Sequence, residues 1–289
     1  MHFSFGFVAC ILGCICKGAD LIIRPPAMTS AVFAAMVEKA GAAVYSAAPA
    51  MLRRITSDAP LPASLRVLSI GGDAMPPCEV EQVRGQFAGH MFLTYGLSEA
   101  GPRAFTSEVK PGQAAPFPLG APLPGVSYRL GDLPPDRLFD LPEGYTAGEL
   151  YLRTPTAMLG LWEQGALRRS DFDGEWLRTG DTVVKAPDGQ LFFHDRLKSI
   201  VVSGGEKISF GLIRRVLLEH QSVVAAKIWA EPDVTLGQIP CAAVQLRDDC
   251  AGREANVLQD IQIWNAKQLR RPERPKRITL DKTLSESLK

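Results

Sequence analysis

Between residues 29 and 95 the apolar positions alternate between helical and strand spacing. Thr29 and Ser30 can cap a helix whose Val32, Phe33, Met36 and Val37 share one face, and Gly41 suits its end. "AAVYSAAP" then reads as a short buried strand, and Pro49 opens a second helix through "AMLRRI". "LRVLSI" (65–70) is a second strand that breaks at Gly71-Gly72, Pro77 suits the first turn of a helix carrying Val80, Val83 and Phe87, and "MFLTY" (91–95) is a third strand. Strand–helix–strand alternation predicts a parallel sheet with helices packed on it.

The texture changes near residue 110. Eight prolines fall between Pro111 and Pro142, followed by short β-rich pieces such as "GELYLR" and "QLFFHD", which predicts a small antiparallel or barrel-like unit. After "DRLK" (195–198) come a glycine turn, a helix near 209–220, strands "VVAAKIWA" and "CAAVQL", a helix near 255–268 and a basic tail. The expected layout is α/β: a sheet subdomain over 1–110, a β-rich subdomain over 111–196, and a small α+β domain over 199–289.

Composition changes this picture only by exclusion. A formal net charge of +1 over 289 residues argues against a dedicated nucleic-acid binder, which carries a strong basic surplus. The six cysteines show no C-x-x-C pair, so neither a disulfide framework nor a zinc site is expected, and a cytoplasmic setting is. "FVACILGCIC" (7–16) looks like a signal core but lacks a basic leader and a small-residue cleavage site, and its ten residues fall short of the roughly 20 a membrane span needs. It is expected to be a buried helix, with no membrane partner.

Three stretches carry candidate chemistry, and their order matters more than any one of them. They are "TYGLSEAG" (94–101), "EWLRTGD" (175–181) and "DRLKSIVVSGGEKI" (195–208). Together they resemble the adenylate-forming superfamily, which comprises acyl-CoA synthetases, the adenylation domains of peptide synthetases and firefly luciferase. "HFSFG" (2–6), "SIGGDAMP" (69–76), "GELYLRTPTAMLGLW" (148–162) and "VLLEHQSVVAAKIWAEPD" (216–233) add weight, and "SGGEK" fits the acyl-CoA synthetase branch.

The resemblance implies a binding site for AMP or ATP, a CoA or phosphopantetheine thiol, and Mg²⁺ where adenylation survives. Tyr95 would stack on adenine, and Gly71, Gly72 and Asp73 would line the adenine edge. Ser98 would donate to the α-phosphate, and Glu99 would hold Mg²⁺ through a hard carboxylate oxygen; these two are the catalytic candidates. Asp181 would accept hydrogen bonds from both ribose hydroxyls, and Arg196 would contact ribose or phosphate. Lys198 falls at the hinge between subdomains, Ser203, Gly204 and Gly205 would line a pantetheine tunnel, and His2 matches a position near the acyl pocket.

Two departures qualify the resemblance. The Ser/Thr/Gly-rich phosphate loop of the family would lie upstream of "HFSFG", and no G-x-x-x-x-G-K substitute occurs elsewhere. In the closing "LDKTLSESLK" (280–289), Glu286-Ser287 stand where the family pattern has Gly-Lys. Loss of one preorganised charge-stabilising group typically lowers rate about 10²–10³-fold. Lys289 is two residues away, about 6.6 Å along an extended chain, and is not expected to substitute.

The expectation is therefore an acid–thiol ligase lineage with impaired adenylation, either completed by a partner or acting in acyl-thioester transfer. The alternative is a non-catalytic binding remnant of the family. Expected partners are an acyl substrate, CoA or an acyl carrier protein, and a second copy or another chain covering an exposed sheet face.

Overall fold

In the computed structural model of the chain, the structure describes residues 5–23, 29–56, 61–133, 141–282 and 284. His2 of the acyl-pocket expectation lies outside them, as do Glu286, Ser287 and Lys289. The α/β class expected from the sequence is the one observed. Backbone proximity divides the chain into two compact units, one reaching Asp132 and including Leu141–His194, the other running from Asp195 onward.

In the first unit, β1 (Val44–Ala47), β2 (Val67–Ile70) and β3 (His90–Leu97) pair in parallel, as the alternating pattern predicts. Strand β4 (Gly101–Val109) then turns back antiparallel to β3, and β5 (Ala121–Pro122) completes a five-stranded sheet in the order β1-β2-β3-β4-β5. The linking helices are short and marked by their first residues. Thr29 accepts from the Val32 N–H to cap Ser30–Ala40, and proline opens both Pro49–Ile55 and Pro77–Gln86. Phe33, Val37, Leu52, Ile55, Val80 and Val83 from these helices join Leu68, Ile70, Met91 and Val109 of the sheet in one core. Each such fully buried side chain contributes about 1.5–3 kcal/mol relative to leaving it in water. Phe87 ends the third helix and is itself buried there.

A second, antiparallel sheet completes this unit. Strand β6 (Ser127–Gly131) pairs with β7 (Thr146–Arg153); a small exposed hairpin, β8 (Leu161–Glu163) with β9 (Ala166–Arg168), follows. Strands β10 (Phe172–Asp173), β11 (Trp176–Lys185) and β12 (Leu191–Arg196) then close the order β10-β11-β7-β6, with β12 on β11. Leu150, Leu152 and Leu177 of this sheet share a core with Phe105 of β4, so the two sheets pack through one apolar cluster.

In the second unit, β13 (Ile200–Ser203) and β14 (Glu206–Ser209) form a hairpin whose two-residue loop, Gly204-Gly205, has φ of +57° and +83°. Positive φ at both loop positions is the arrangement that matches strand twist in a two-residue hairpin, and it selects glycine. Ser209 caps the helix Phe210–Leu218 by accepting from the Leu212 N–H. Strands β15 (Val223–Asp233) and β16 (Gly237–Leu246) pair antiparallel, and β17 (Arg277–Leu280) adds in parallel. The helix Glu254–Gln268 contributes Val257 and Ile261 to the core over this sheet.

One expectation changes. The segment 7–16 is helical, as π-helical turns at Phe5–Leu12 and an α-helix at Gly13–Lys17, but it is not buried: Ile15 is 66% exposed and Leu12 is also on the surface. A run that is apolar on every side carries no stripe to say which face should pack. The end of the basic tail enters the sheet, where Arg277 begins β17 beside β16 and pairs with Glu231. Among the described residues no helix is long and apolar enough to cross a membrane.

Candidate functional site

Strand β2 ends at Ile70 opposite Leu93, β3 runs on to Leu97, and their carboxyl ends carry the first half of the site. The Thr94 hydroxyl donates to the carbonyl of Ile70 at 3.0 Å, which ties β3 to the residue before Gly71. The Gly71 N–H continues the ladder to Ala47 at 3.1 Å, and Gly72 then takes a φ of +87° that glycine adopts without strain. Asp73 accepts from the Ala74 N–H at 2.8 Å, closing the turn. In open parallel sheets ligands bind beyond the carboxyl ends of the strands, where these three residues lie.

Tyr95 stands one strand over. Its ring meets Phe105 edge-on at 6.0 Å, which leaves the hydroxyl to reach outward. That hydroxyl donates to Oδ2 of Asp181 at 2.6 Å. Tyr95 comes from the parallel sheet and Asp181 from the antiparallel one, so two residues 86 positions apart form a single group. Asp181 is only 1% exposed.

Gly96 of the same motif has a steric reason. A Cβ there would lie 2.5 Å from the carbonyl carbon and oxygen of Pro102. The turn that follows presents Ser98, which is exposed, and Glu99, which is half-buried. This turn is held from outside by residues 154–158. The Met158 N–H donates to the Glu99 carbonyl at 2.7 Å, and the Thr156 hydroxyl donates to the Ala100 carbonyl at 2.7 Å.

Asp181 sits in an irregularity of β11 that its sequence motif does not announce. The register runs Arg178 opposite Tyr151 and then Thr182 opposite Glu149. Gly180 within it has a φ of +70°. Glu149, 2% exposed, accepts from the Gly180 N–H at 3.1 Å and from the Arg178 guanidinium at 3.0 Å. That carboxylate holds the Arg178 guanidinium pKa above its usual value. The motif reading passes over Glu149, Thr156 and Thr179. A signal existed for Glu149, an acid inside an otherwise apolar "GELYL" strand.

The remaining candidates, Arg196, Ser203, Gly204 and Gly205, belong to the second unit. Arg196 ends β12, and its N–H donates to Asp195 at 2.7 Å. Asp195 is buried and also accepts from the Ser209 hydroxyl. Ser203 is buried at the end of β13, and the Gly204 N–H donates to the Leu236 carbonyl at 2.9 Å. Lys198 falls in the 3₁₀ turn Leu197–Ser199. Among the described residues no group of three or more His, Cys, Asp or Glu is placed to hold a metal ion.

Residues 1–162 match the family model described as AMP-binding enzyme. The peroxisomal acetate/butyrate–CoA ligase AAE7 of Arabidopsis thaliana is 30% identical over 263 residues, spanning 86% of this chain and 46% of that protein. The salicyl-AMP ligase / salicyl-S-ArCP synthetase of Mycobacterium tuberculosis is 30% identical over 241 residues, spanning 81% and 41%. The o-succinylbenzoate CoA synthetase MenE of Bacillus subtilis, solved with its acyl-adenylate OSB-AMP, superposes with a TM-score of 0.74 at 21% identity over 97% of this chain and 55% of that one. The chain thus spans about half the length of the relatives it matches. It belongs to the AMP-binding enzyme family, within the adenylate-forming superfamily.

Proposed function

We propose that this chain binds AMP or an acyl-adenylate at the carboxyl ends of β2 and β3, and a CoA or carrier-protein pantetheine thiol at the glycine hairpin of its second unit. The observation that carries the reading is the Tyr95–Asp181 pair: an aromatic platform and a ribose-type carboxylate converge from two sheets. The ring of Tyr95 offers adenine a flat face, and Asp181 offers ribose hydroxyls an acceptor. The Gly71–Asp73 turn allows close backbone approach at the base edge. Ser98 supplies a donor for the α-phosphate.

Mg²⁺ would sit on Glu99 and on phosphate oxygens. That donor set suits a cation that keeps waters and takes one or two carboxylates. The ion would neutralise phosphate charge. Arg196 would meet ribose or phosphate, Ser203, Gly204 and Gly205 would line the thiol path, and Lys198 would absorb the change of backbone angle between binding poses. The names of relatives for acetate, butyrate and salicylate support a reading in which the acyl substrate is a small carboxylic acid.

Adenylation by this chain alone is weak in this reading, because Glu286-Ser287 replace the Gly-Lys of the family pattern. The activity that remains is completed by a partner chain, or is transfer of an acyl group between CoA and a carrier thiol. The Ser287 replacement also favours a second reading, a non-catalytic binder of AMP or acyl thioester. ATP–pyrophosphate exchange with small aliphatic and aryl acids, alongside calorimetry with AMP, CoA and acyl-CoA, separates these. Weak exchange with AMP and acyl-CoA binding is the expected result. Robust exchange by the lone chain overturns the impairment, and absence of AMP binding overturns the nucleotide site.

A further inference from the structure

The β11 segment that carries Asp181 departs from regular pairing. Between the Arg178–Tyr151 and Thr182–Glu149 pairs, Leu150 alone on β7 faces Thr179, Gly180 and Asp181 on β11. One residue offers too few ladder groups for three, so the bulge must be satisfied by other atoms. Side chains do this. The Thr179 hydroxyl donates to the Leu150 carbonyl at 2.7 Å and accepts from the Asp181 N–H at 3.0 Å. The Gly180 N–H finds Oε1 of Glu149 at 3.1 Å. The other oxygen of Glu149 takes the Arg178 guanidinium at 3.0 Å, which itself lies 5.8 Å from the Tyr151 ring.

We infer that Glu149 is a positioning residue for the nucleotide ribose: through the Gly180 N–H and Arg178 it fixes the bulge that aims Asp181 at Tyr95 and at the sugar hydroxyls. This rests on the nucleotide reading given above. A buried carboxylate is costly to desolvate, and here both of its oxygens are used on the two residues flanking Thr179. Without it the Gly180 N–H has no strand partner to turn to, and the bulge relaxes toward another register. Hydrogen bonds fail beyond about 3.5 Å, so a displacement of about 1 Å separates Asp181 from Tyr95 and from ribose alike.

The test is a pair of affinities measured by calorimetry on the full chain, for AMP and for 2′,3′-dideoxy-AMP. The wild type is expected to prefer AMP by about tenfold or more, since charged hydrogen bonds to both hydroxyls are lost in the analogue. E149A is expected to bind the two nucleotides within about twofold of each other while dideoxy-AMP affinity is unchanged. E149Q, which keeps an oxygen for the Gly180 N–H, is expected to recover part of the preference. A merely structural residue would lower the melting temperature or both affinities together. Retention of the wild-type preference in E149A therefore overturns the inference. Where E149A fails to fold, E149D, which draws the carboxylate back from the Gly180 N–H and Arg178 by one methylene, is read in its place: loss of preference supports the inference and retention overturns it. Equal affinities in the wild type overturn the assignment of Asp181 to the ribose, and with it the inference, whereas absence of binding by either nucleotide overturns the nucleotide reading itself.

Discussion

The Tyr95 hydroxyl reaches Oδ2 of Asp181 at 2.6 Å across two sheets, so the ring proposed for adenine and the carboxylate proposed for ribose share one hydrogen bond. Removing the hydroxyl and removing the ring should therefore have separable effects. Y95F is expected to weaken AMP binding about three- to tenfold, the worth of one hydrogen bond. Y95A should weaken it about tenfold to a hundredfold, because base–aromatic stacking contributes about 1–3 kcal/mol. Calorimetry on both variants checks this, and equal losses would show that the ring makes no contact of its own.

Gly96 and Gly85 make opposite predictions. A methyl at position 96 meets the backbone of Pro102 at 2.5 Å, and backbone cannot swing aside. G96A should destabilise the first unit by about 1–3 kcal/mol, the usual cost of overpacking. At Gly85, within Pro77–Gln86, an added Cβ meets nothing within 4 Å. G85A should stabilise by about 0.5–1 kcal/mol from the lost chain entropy of glycine. Urea unfolding of both variants reads the sign directly.

Thiol reactivity should follow burial. Among the described residues, which include all six cysteines, none is disulfide-bonded; Cys16 and Cys78 are exposed, and Cys241 and Cys250 are buried. Burial pushes the Cys241 thiol pKa up, and the carboxylate of Glu231 adds to it. Ellman's reagent at pH 8 is expected to titrate Cys16 and Cys78 first and to reach Cys241 only after unfolding. Fast labelling of Cys241 in the folded protein would contradict this burial.

Acid should weaken the second unit through His220. Burial holds its pKa below the usual value, partly opposed by Asp260, and its ring packs edge-on to Trp264 at 6.0 Å. The unfolded chain binds this proton more tightly than the folded one. The contribution is thus fully present above the unfolded pKa near 6.5 and is lost as pH falls through the lower folded value. Melting temperature should drop between pH 7 and pH 5, and H220Q should flatten that part of the profile. An unchanged slope in H220Q would assign the titration elsewhere.

Much of this protein is legible residue by residue. Thr29, Pro49 and Pro77 mark helix starts because caps and proline act within a single turn. Two glycines at 204 and 205 write their own hairpin, because positive φ is a property of the residue. The motifs around Tyr95 and Asp181 name a chemistry through their order along the chain. What they leave open is everything carried by distant pairing. The extra residues of β11 appear only once β7 is laid beside it, some thirty positions earlier, and no local period marks a bulge. Glu149 reads as one acid in an apolar strand until the Gly180 N–H arrives to be satisfied. The apolar segment 7–16 shows the same limit, because hydrophobicity says that a surface should be covered, and only packing decides whether this chain covers it. Local sterics and hydrogen-bonding capacity are written into each residue, whereas register and burial are properties of two segments together.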